Sequence, residues 1–450
     1  MSRSIDQALL EWKDNPRRKP LLVRGARQVG KSSTIRHLGK NFKYFLEVNV
    51  ERNPEVMEFF KGSRDVKSIA AKLSDFFNVP VVPGETLLFL DEIQKSEDVI
   101  HSLWFFKEDY PELHVIAAGS LLEFALKDLS SFGVGRVSSL FVYPMSFDEF
   151  LTATGQEGLL RTKRNSSPTN PLPEAFYNRL VEAFRSYMLV GGMPEAVATY
   201  TETGSYRYSS NIVNEIIQGY QDDFAKYGAK ANPLLLRQTL ISVAHQAGAK
   251  FVYSRVEGQY RSAEVKVALE MLKDAGLIIP TYHTDANGVP LGAEINERVV
   301  KYLIHDTGVL LGILGIDDDI DERIKEMMVA DSIDLVDKGH VAEMMAGLEL
   351  IKYSSPQTRH QLYYWQNMNK GTCAEVDYVI ARSGSIVPIE VKSGVKGSMS
   401  SMYSLMRNPQ KHIEMGIRCS LENFGTFASP DGKKIDIIPL YAISNLFAEK

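Results

Sequence analysis

Between positions 20 and 143 the apolar residues alternate between two patterns. Short, nearly unbroken runs at 20–23, 44–48, 86–90, 114–118 and 137–143 have the composition of buried strands. Stripes at helical spacing cover 33–38, 66–77, 101–110 and 121–126 between them. An earlier stripe, with Ile5, Leu9 and Leu10 on one side, predicts a helix over 4–13 that stops at Asn15-Pro16. This alternation predicts an α/β domain whose strands run parallel and are covered on both faces.

Past this region the rhythm changes. Positions 145–151 begin a helical lid, and 152–173 read as an exposed excursion with Gly155, Gly158 and a basic patch from Arg161 to Arg164. That patch suits either a solvated loop or nonspecific nucleic-acid contact. Helical spacing resumes over 174–187, breaks at Gly191-Gly192-Met193-Pro194 and returns over 212–224 and 234–246. Asp222 and Asp223 are adjacent, which sends them to different helix azimuths and argues against a metal site. Segments 251–254, 256–260, 262–276 and 277–282 resemble a winged-helix arrangement, with Val265, Ala268, Leu269 and Leu272 inward. Its exposed set, Arg261, Glu264, Lys266 and Lys273, is thin for phosphate binding, so DNA contact and subunit contact both stay open. An acidic segment over 317–325 then precedes a helix beginning at 339, which carries Glu343 and Glu349. An antiparallel sheet is expected from Tyr363 on, with strands at 375–379, 386–391, 417–420 and 435–440 and a closing helix over 442–448. The expected domains are therefore 1–150, 151–235, 236–298 and 299–450.

Composition narrows the chemistry. A chain of 450 residues exceeds the usual single-domain size, and 44% hydrophobic with 24% charged residues is ordinary for a soluble protein. A net charge of -5 carries no global nucleic-acid signature. Cys373 and Cys419 are the only cysteines, which excludes a four-cysteine metal site and leaves buried thiols as the default. The early charges Arg3, Asp6, Glu11 and Lys13 leave no apolar signal core, and no apolar run reaches membrane-spanning length. A cytoplasmic location and no membrane partner are expected.

The strongest chemical signal is Gly25-Ala26-Arg27-Gln28-Val29-Gly30-Lys31-Ser32, which fits G-x-x-x-x-G-K-[ST] between an expected strand and an expected helix. Gly25 and Gly30 permit backbone geometry that a side chain hinders. The loop amides, from Arg27 through Ser33, and the helix N-terminus direct partial positive charge at a phosphate. Lys31 is placed for the outer phosphates and Ser32 for Mg2+. The acidic partner is expected at the end of Leu87-Leu88-Phe89-Leu90-Asp91-Glu92, because ligands of open α/β sheets bind at the strands' carboxyl ends. Asp91 is the candidate metal group and Glu92 the candidate for polarising the attacking water. Ser120, ending the run from 114, is a candidate sensor of the γ-phosphate or a helix cap. Arg136 is a candidate for reaching ATP in a neighbouring subunit of a homo-oligomer, with a structural ion pair as the alternative.

Taken with YPMSFDEF (143–150) and YMLVGGMPEAV (187–197), these motifs resemble the prokaryotic AAA+-type ATPase family. That family joins an AAA ATPase domain to a carboxy-terminal domain of unknown function 4143. The resemblance covers nearly the whole chain. It implies ATP with Mg2+ as cofactors, Lys31 and Ser32 at phosphate and metal, Asp91 at metal, Glu92 at water, Ser120 as first sensor and Arg136 as arginine finger. It leaves the biological role open.

The carboxy-terminal third suggests separate chemistry. Alternation over 375–379 and 386–392 brings Asp377, Glu390 and Lys392 to adjacent strands, with Glu343 available from the preceding helix. The D…E-x-K spacing resembles the restriction-endonuclease-like superfamily and implies a candidate metal-dependent site for DNA cleavage. Val376 stands where a proline often precedes the first acid, and Glu375 adds charge. In the other reading Lys392 merely pairs with Asp377 or Glu390. The leading expectation is an ATPase whose nucleotide state moves lid and carboxy-terminal domains. The alternative is an ATP-regulated DNA-binding or DNA-cleaving protein, or a slow switch that binds protein partners.

Overall fold

A computed structural model describes residues 3–128, 135–227, 232–315, 338–367, 374–394 and 397–447. The first third is a five-stranded sheet, β1 (Leu21–Arg24), β2 (Tyr44–Asn49), β3 (Thr86–Asp91), β4 (His114–Ala118) and β5 (Ser138–Phe141), in the order β2-β3-β4-β1-β5. Every pairing is parallel. The period of two sorts each strand's apolar residues to opposite faces. Leu22, Leu88, Leu90, Val115 and Ala117 pack with Val66, Ile69, Leu73, Val99 and Leu103 from the helices Val66–Phe77 and Glu97–Asp109. Leu21, Val23, Leu87, Phe89 and Ile116 pack on the other face with Leu9, Trp12, Ile35 and Leu38 from the helices Ile5–Asp14 and Lys31–Gly39. This second core runs on without a break into the lid and the carboxy-terminal third, through Phe147, Tyr187, Leu272 and Ile389.

The expected excursion over 152–173 is instead ordered around the helix Glu157–Arg164. Leu159 and Leu160 are buried there, and the Lys163 ammonium is fully enclosed, paired with Asp148 and donating to Ser444 Oγ at 2.7 Å. Arg164 also pairs with Asp148 at 3.1 Å. The patch is thus partly a structural staple, because a compact acid on a neighbouring helix outcompetes water for Lys163.

The helices Glu174–Val190, Pro194–Thr203 and Tyr206–Asp223 occupy the region expected as a lid. Gly192 accepts from Met145 N at 2.6 Å and donates to Asp306 Oδ2 at 2.6 Å, so the GGMP break is pinned between the segment that follows β5 and the cap of the helix Thr307–Ile313. The helices Pro233–His245 and Ser262–Asp274 follow, then an antiparallel pair of β6 (Ile278–Thr284) and β7 (Ile295–Ile304). Segment 251–260 holds only a single 3-10 turn, Tyr253–Arg255.

β7 runs across the expected boundary at 298, and β6 also pairs in parallel with β8 (Leu362–Gln366). The middle module and the carboxy-terminal third therefore share the sheet β7-β6-β8-β9, where β9 is Glu375–Val376. The sheet at Tyr363 is mixed, not antiparallel. The expected strand over 375–379 is interrupted at Asp377, so β9 and β10 (Tyr378–Arg382) enter different sheets. The second sheet, with order β10-β11-β12-β14-β13, contains β11 (Ser385–Val391), β12 (Met415–Ser420), β13 (Gly425–Ala428) and β14 (Lys434–Pro439). The helix Lys338–Lys352 precedes these strands and Ser400–Arg407 lies among them. Chain closure is a 3-10 segment, Leu440–Leu446. Cys419 is buried, while Cys373 and the acidic segment 317–325 lie outside the described residues. Among the described residues no helix is long and apolar enough to cross a membrane.

Candidate nucleotide site

The phosphate loop leaves β1 at the carboxyl edge of the sheet, and its glycines are required there. Gly25 has φ +143, and a Cβ at this position falls 2.1 Å from Val142 O. Gly30 has φ +92 and sits against Arg3 and Pro194. Gln28, at φ 65, supplies a further left-handed turn that the motif does not announce. Val29 is fully buried and its carbonyl is engaged, whereas Gln28 and Ser33 are exposed. Lys31 opens the helix Lys31–Gly39 and folds back onto the loop, donating to Gly25 O at 3.0 Å and Ala26 O at 2.7 Å. Burial pushes its ammonium down to about 8, against the pull of Glu92 and Asp91 and helped by Arg27. An anion in the loop would reverse that penalty.

Opposite stands the end of β3. Ser32 Oγ donates to Asp91 Oδ2 at 3.1 Å, and Asp91 Oδ1 accepts from Glu92 N at 3.0 Å. Burial, reinforced by Glu92, raises the Asp91 carboxyl above its ordinary range. A hydroxyl and a carboxylate side by side are the oxygen donors Mg2+ takes, and a carboxylate destabilised by burial is one a cation relieves. The residues present therefore fit the metal. Glu92 turns out of the strand with φ 54, and its Oε2 accepts from Ser120 Oγ at 3.0 Å, Ser120 N at 3.3 Å and the Gln94 amide. Lys31, Ser32, Asp91, Glu92 and Ser120 thus meet at one sheet edge.

Sequence reading missed the groups that tie this edge to the rest of the chain. Arg3 is buried and donates from Nη1 to Val29 O at 3.0 Å, from Nη2 to Tyr143 O at 2.8 Å and from Nε to Glu149 at 3.0 Å. Arg27 pairs with Asp223 at the end of the lid helix Tyr206–Asp223, and Tyr220 OH lies 3.1 Å from Arg27 O. Gly276 abuts Ala26, its would-be Cβ 3.1 Å from the Ala26 amide. A one-residue cation near the start and a tyrosine two hundred positions away carry no spacing signal; only the repacked chain reveals them.

Three family models match. Residues 17–151 match an AAA domain, 181–320 a domain of unknown function (DUF8612), and 338–443 the domain of unknown function DUF4143. Residues 17–151 thus carry an AAA domain and residues 338–443 a DUF4143 domain, a combination that fits an AAA+-type ATPase family. ATP binding and hydrolysis attach to the AAA domain at the level of that family. Among solved structures, the chain is similar to a Walker-type ATPase of Pyrococcus abyssi (18% identity, TM-score 0.43, 70% of this chain and 95% of that one). It is also similar to the Aeropyrum pernix ORC1 protein in complex with DNA (12%, TM-score 0.30, 73% and 95%). A third likeness is to Drosophila ORC bound to DNA (16%, TM-score 0.26, 68% and 84%). No curated protein matches the sequence.

Two further sets of residues lie away from the AAA phosphate loop. Arg136 immediately precedes β5, which runs parallel to β1, and so sits at the sheet edge opposite the loop. Within its own chain it pairs with Glu108 at 2.6 Å and lies 4.0 Å from the Trp104 ring centroid. In the DUF4143 region burial raises the carboxyls of Glu343, Asp377 and Glu390, and the charge of Asp377 adds to the rise at Glu343 and at Glu390. Lys392 donates to Glu390 Oε1 at 2.6 Å, and Asp377 Oδ2 accepts from Val391 N at 2.7 Å. Lys301, which sequence reading did not single out, is 1% exposed and bridges Glu343 at 2.8 Å to Glu375. Among the described residues no three acids, histidines or cysteines gather as a metal site. Lys301 holds Glu343, Lys392 holds Glu390 and the Val391 amide holds Asp377, so these donors do not fit a metal as they stand.

Proposed function

We propose that this protein is a Mg2+-dependent ATPase whose nucleotide state moves the lid and the carboxy-terminal modules. The observation that carries this reading is the contact of Ser32 with Asp91 at 3.1 Å beside a Lys31 folded onto the loop. Lys31 and the loop amides would bind the outer phosphates, with Ser32 and Asp91 holding the metal. Mg2+ bound with ATP neutralises charge on the β- and γ-phosphate oxygens. Glu92 orients the water whose oxygen bonds to the γ-phosphorus as the bond to the leaving ADP oxygen breaks. All three donors to Glu92 fall on Oε2, which leaves Oε1 for that water. Coupling to the lid is supported by Arg27–Asp223 and Tyr220, because a phosphate that reshapes the loop acts on both contacts.

Purified protein should turn over ATP with Mg2+ and lose turnover in EDTA, while Glu92→Gln retains ATP without hydrolysing it. Absence of ATP binding in the presence of Mg2+ sinks the reading.

DNA binding under ATP control is the second reading. The succession Pro233–His245, Ser262–Asp274, β6 and β7 supports a winged-helix-like module. The order Lys338–Lys352, β8, β10, β11, Ser400–Arg407, β12 supports a restriction-endonuclease-like one. Convergence of Asp377, Glu390 and Glu343 favours an ancestral relation to that fold. Lys301 and Lys392 engage Glu343 and Glu390, so the cluster as it stands offers no free carboxylate set for cleavage. In a homo-oligomer, Arg136 would have to leave Glu108 and Trp104 to reach a neighbour's ATP.

A further inference from the structure

Gln94 lies just beyond the acidic strand end and belongs to the 3-10 turn Ile93–Lys95. Its Nε2 donates to Glu92 Oε2 and stands 3.5 Å from Ser120 Oγ, so one amide spans the carboxylate and the hydroxyl at the end of β4. Its other atom, Oε1, is buried and has no hydrogen-bond partner. A buried acceptor left open at a site where water must be held is a place for a polar ligand. The chain also makes room for this side chain: a Cβ at Gly119 falls 2.0 Å from Gln94 Oε1 and 3.1 Å from its Cδ. Gly119 itself is not in the left-handed region, so space for Gln94 is the reason for a glycine there.

Glu92 needs such a brace. Its backbone occupies the left-handed region, φ 54 and ψ 40, which an L side chain adopts only when its surroundings hold it there. Ser120 restrains the carboxylate from the side of β4, and Gln94 from the side of its own turn. With both present, Oε2 is fixed and the orientation of Oε1 follows.

We propose that Gln94 is a positioning residue for ATP hydrolysis, clamping Glu92 between its own turn and Ser120, and that Gly119 is a glycine to admit it. This inference rests on the ATPase reading. The amide donates to Oε2 and so aims Oε1 of Glu92 at the attacking water. Proximity of this kind governs kcat and leaves ATP affinity to the phosphate loop.

The test uses the full chain with Mg2+ and ATP, measuring kcat, KM and equilibrium ATP binding for wild type, Gln94→Ala, Gln94→Glu and Gly119→Ala between pH 5.5 and 9. Gln94→Ala should lower kcat by about a hundredfold, within the range of a mispositioned base, with KM and binding within about twofold. Gly119→Ala should show the same split with the amide chemically intact. Gln94→Glu sets a second carboxylate against Oε2; one of the two then keeps a proton, and the acidic limb of kcat moves up by about a pH unit or more. A merely structural Gln94 leaves that limb in place. A Gln94→Ala kcat within about threefold of wild type, or an unmoved limb in Gln94→Glu, overturns the inference while wild-type turnover keeps the ATPase reading intact. Should Gln94→Ala not fold, the near-isosteric Gln94→Glu limb decides alone. Wild type that binds no ATP removes the reading and the inference together.

Discussion

Replacing Lys301 by methionine tests the account of the buried acidic cluster most severely. Lys301 is 1% exposed, spans Glu343 and Glu375, and lies 4.9 Å from the Tyr364 ring centroid. Two lysines, 301 and 392, face four carboxylates, 343, 375, 377 and 390, so near neutrality the cluster lowers its charge by retaining protons. Burial comes first in raising Glu343 to about 8 and Glu390 to about 7, and Lys301 offsets only part of the rise at Glu343. A carboxyl raised on folding binds more protons in the native state than in the unfolded one. Its contribution to stability therefore falls as pH climbs from the ordinary value of 4.5 towards the raised one.

Removing the cation raises the Glu343 and Asp377 carboxyls further and extends the decline to higher pH. At pH 6 Glu343 already holds its proton, so the variant loses chiefly the half-buried Glu375 pair, about 1 kcal/mol. At pH 9 the native protein has a charged pair to lose, and the cost approaches about 3 kcal/mol, the lower end for a broken buried pair. With roughly 2.1 cal/mol/K of unfolding entropy per residue over 450 residues, thermal unfolding should show a drop of roughly 1 °C at pH 6 and roughly 3 °C at pH 9. An equal drop at both pH values, or a larger one at pH 6, refutes the proton-sharing account.

The remaining predictions are simpler. Arg136→Ala removes a pair in which both partners are more than a third exposed, together with a cation–π contact, so the melting temperature should fall by no more than about 4 °C. ATP binding should be spared and most hydrolysis lost if Arg136 acts across subunits; unchanged turnover assigns it to Glu108 alone. Lys163→Met leaves the buried Asp148 with Arg164, Tyr353 and the Ser444 hydroxyl beside it but no buried cation, and should cost about 3 kcal/mol, read as a lower melting temperature. A loss under about 1 kcal/mol would mean that water reaches Asp148 and that the 157–164 helix is not the staple described.

The phosphate loop and the acidic strand end were legible because their chemistry is local. A turn that must expose amides to phosphate needs Gly25 and Gly30 at fixed separation from Lys31. A strand covered on both faces needs an unbroken apolar run, and Leu87 to Leu90 supply it. Strand order was not legible, since nothing local places β4 and β5, rather than the next strand β2, beside β1.

Residues 152–173 were misread for a related reason. Their polarity is that of a loop, and only the arrival of Asp148 and Ser444 from distant positions makes Lys163 a core residue. Asp377 likewise sits in a run that alternates like one strand, yet the backbone bends there because its two halves serve different sheets.

What the sequence determined by itself, then, is every feature whose partners lie within a turn or a strand: the glycine turn after β1, the acids at the end of β3, the buried runs of the strands. Tertiary structure alone decided which distant groups hold them. It put Arg3, Tyr220 and Asp223 on the loop, Ser120 on Glu92, and Lys301 among the carboxylates that spacing had offered to a metal. The physical reason is that burial changes what a charged group requires. A carboxylate removed from water takes whichever cation or proton the fold brings within reach, and no local pattern records which one arrives.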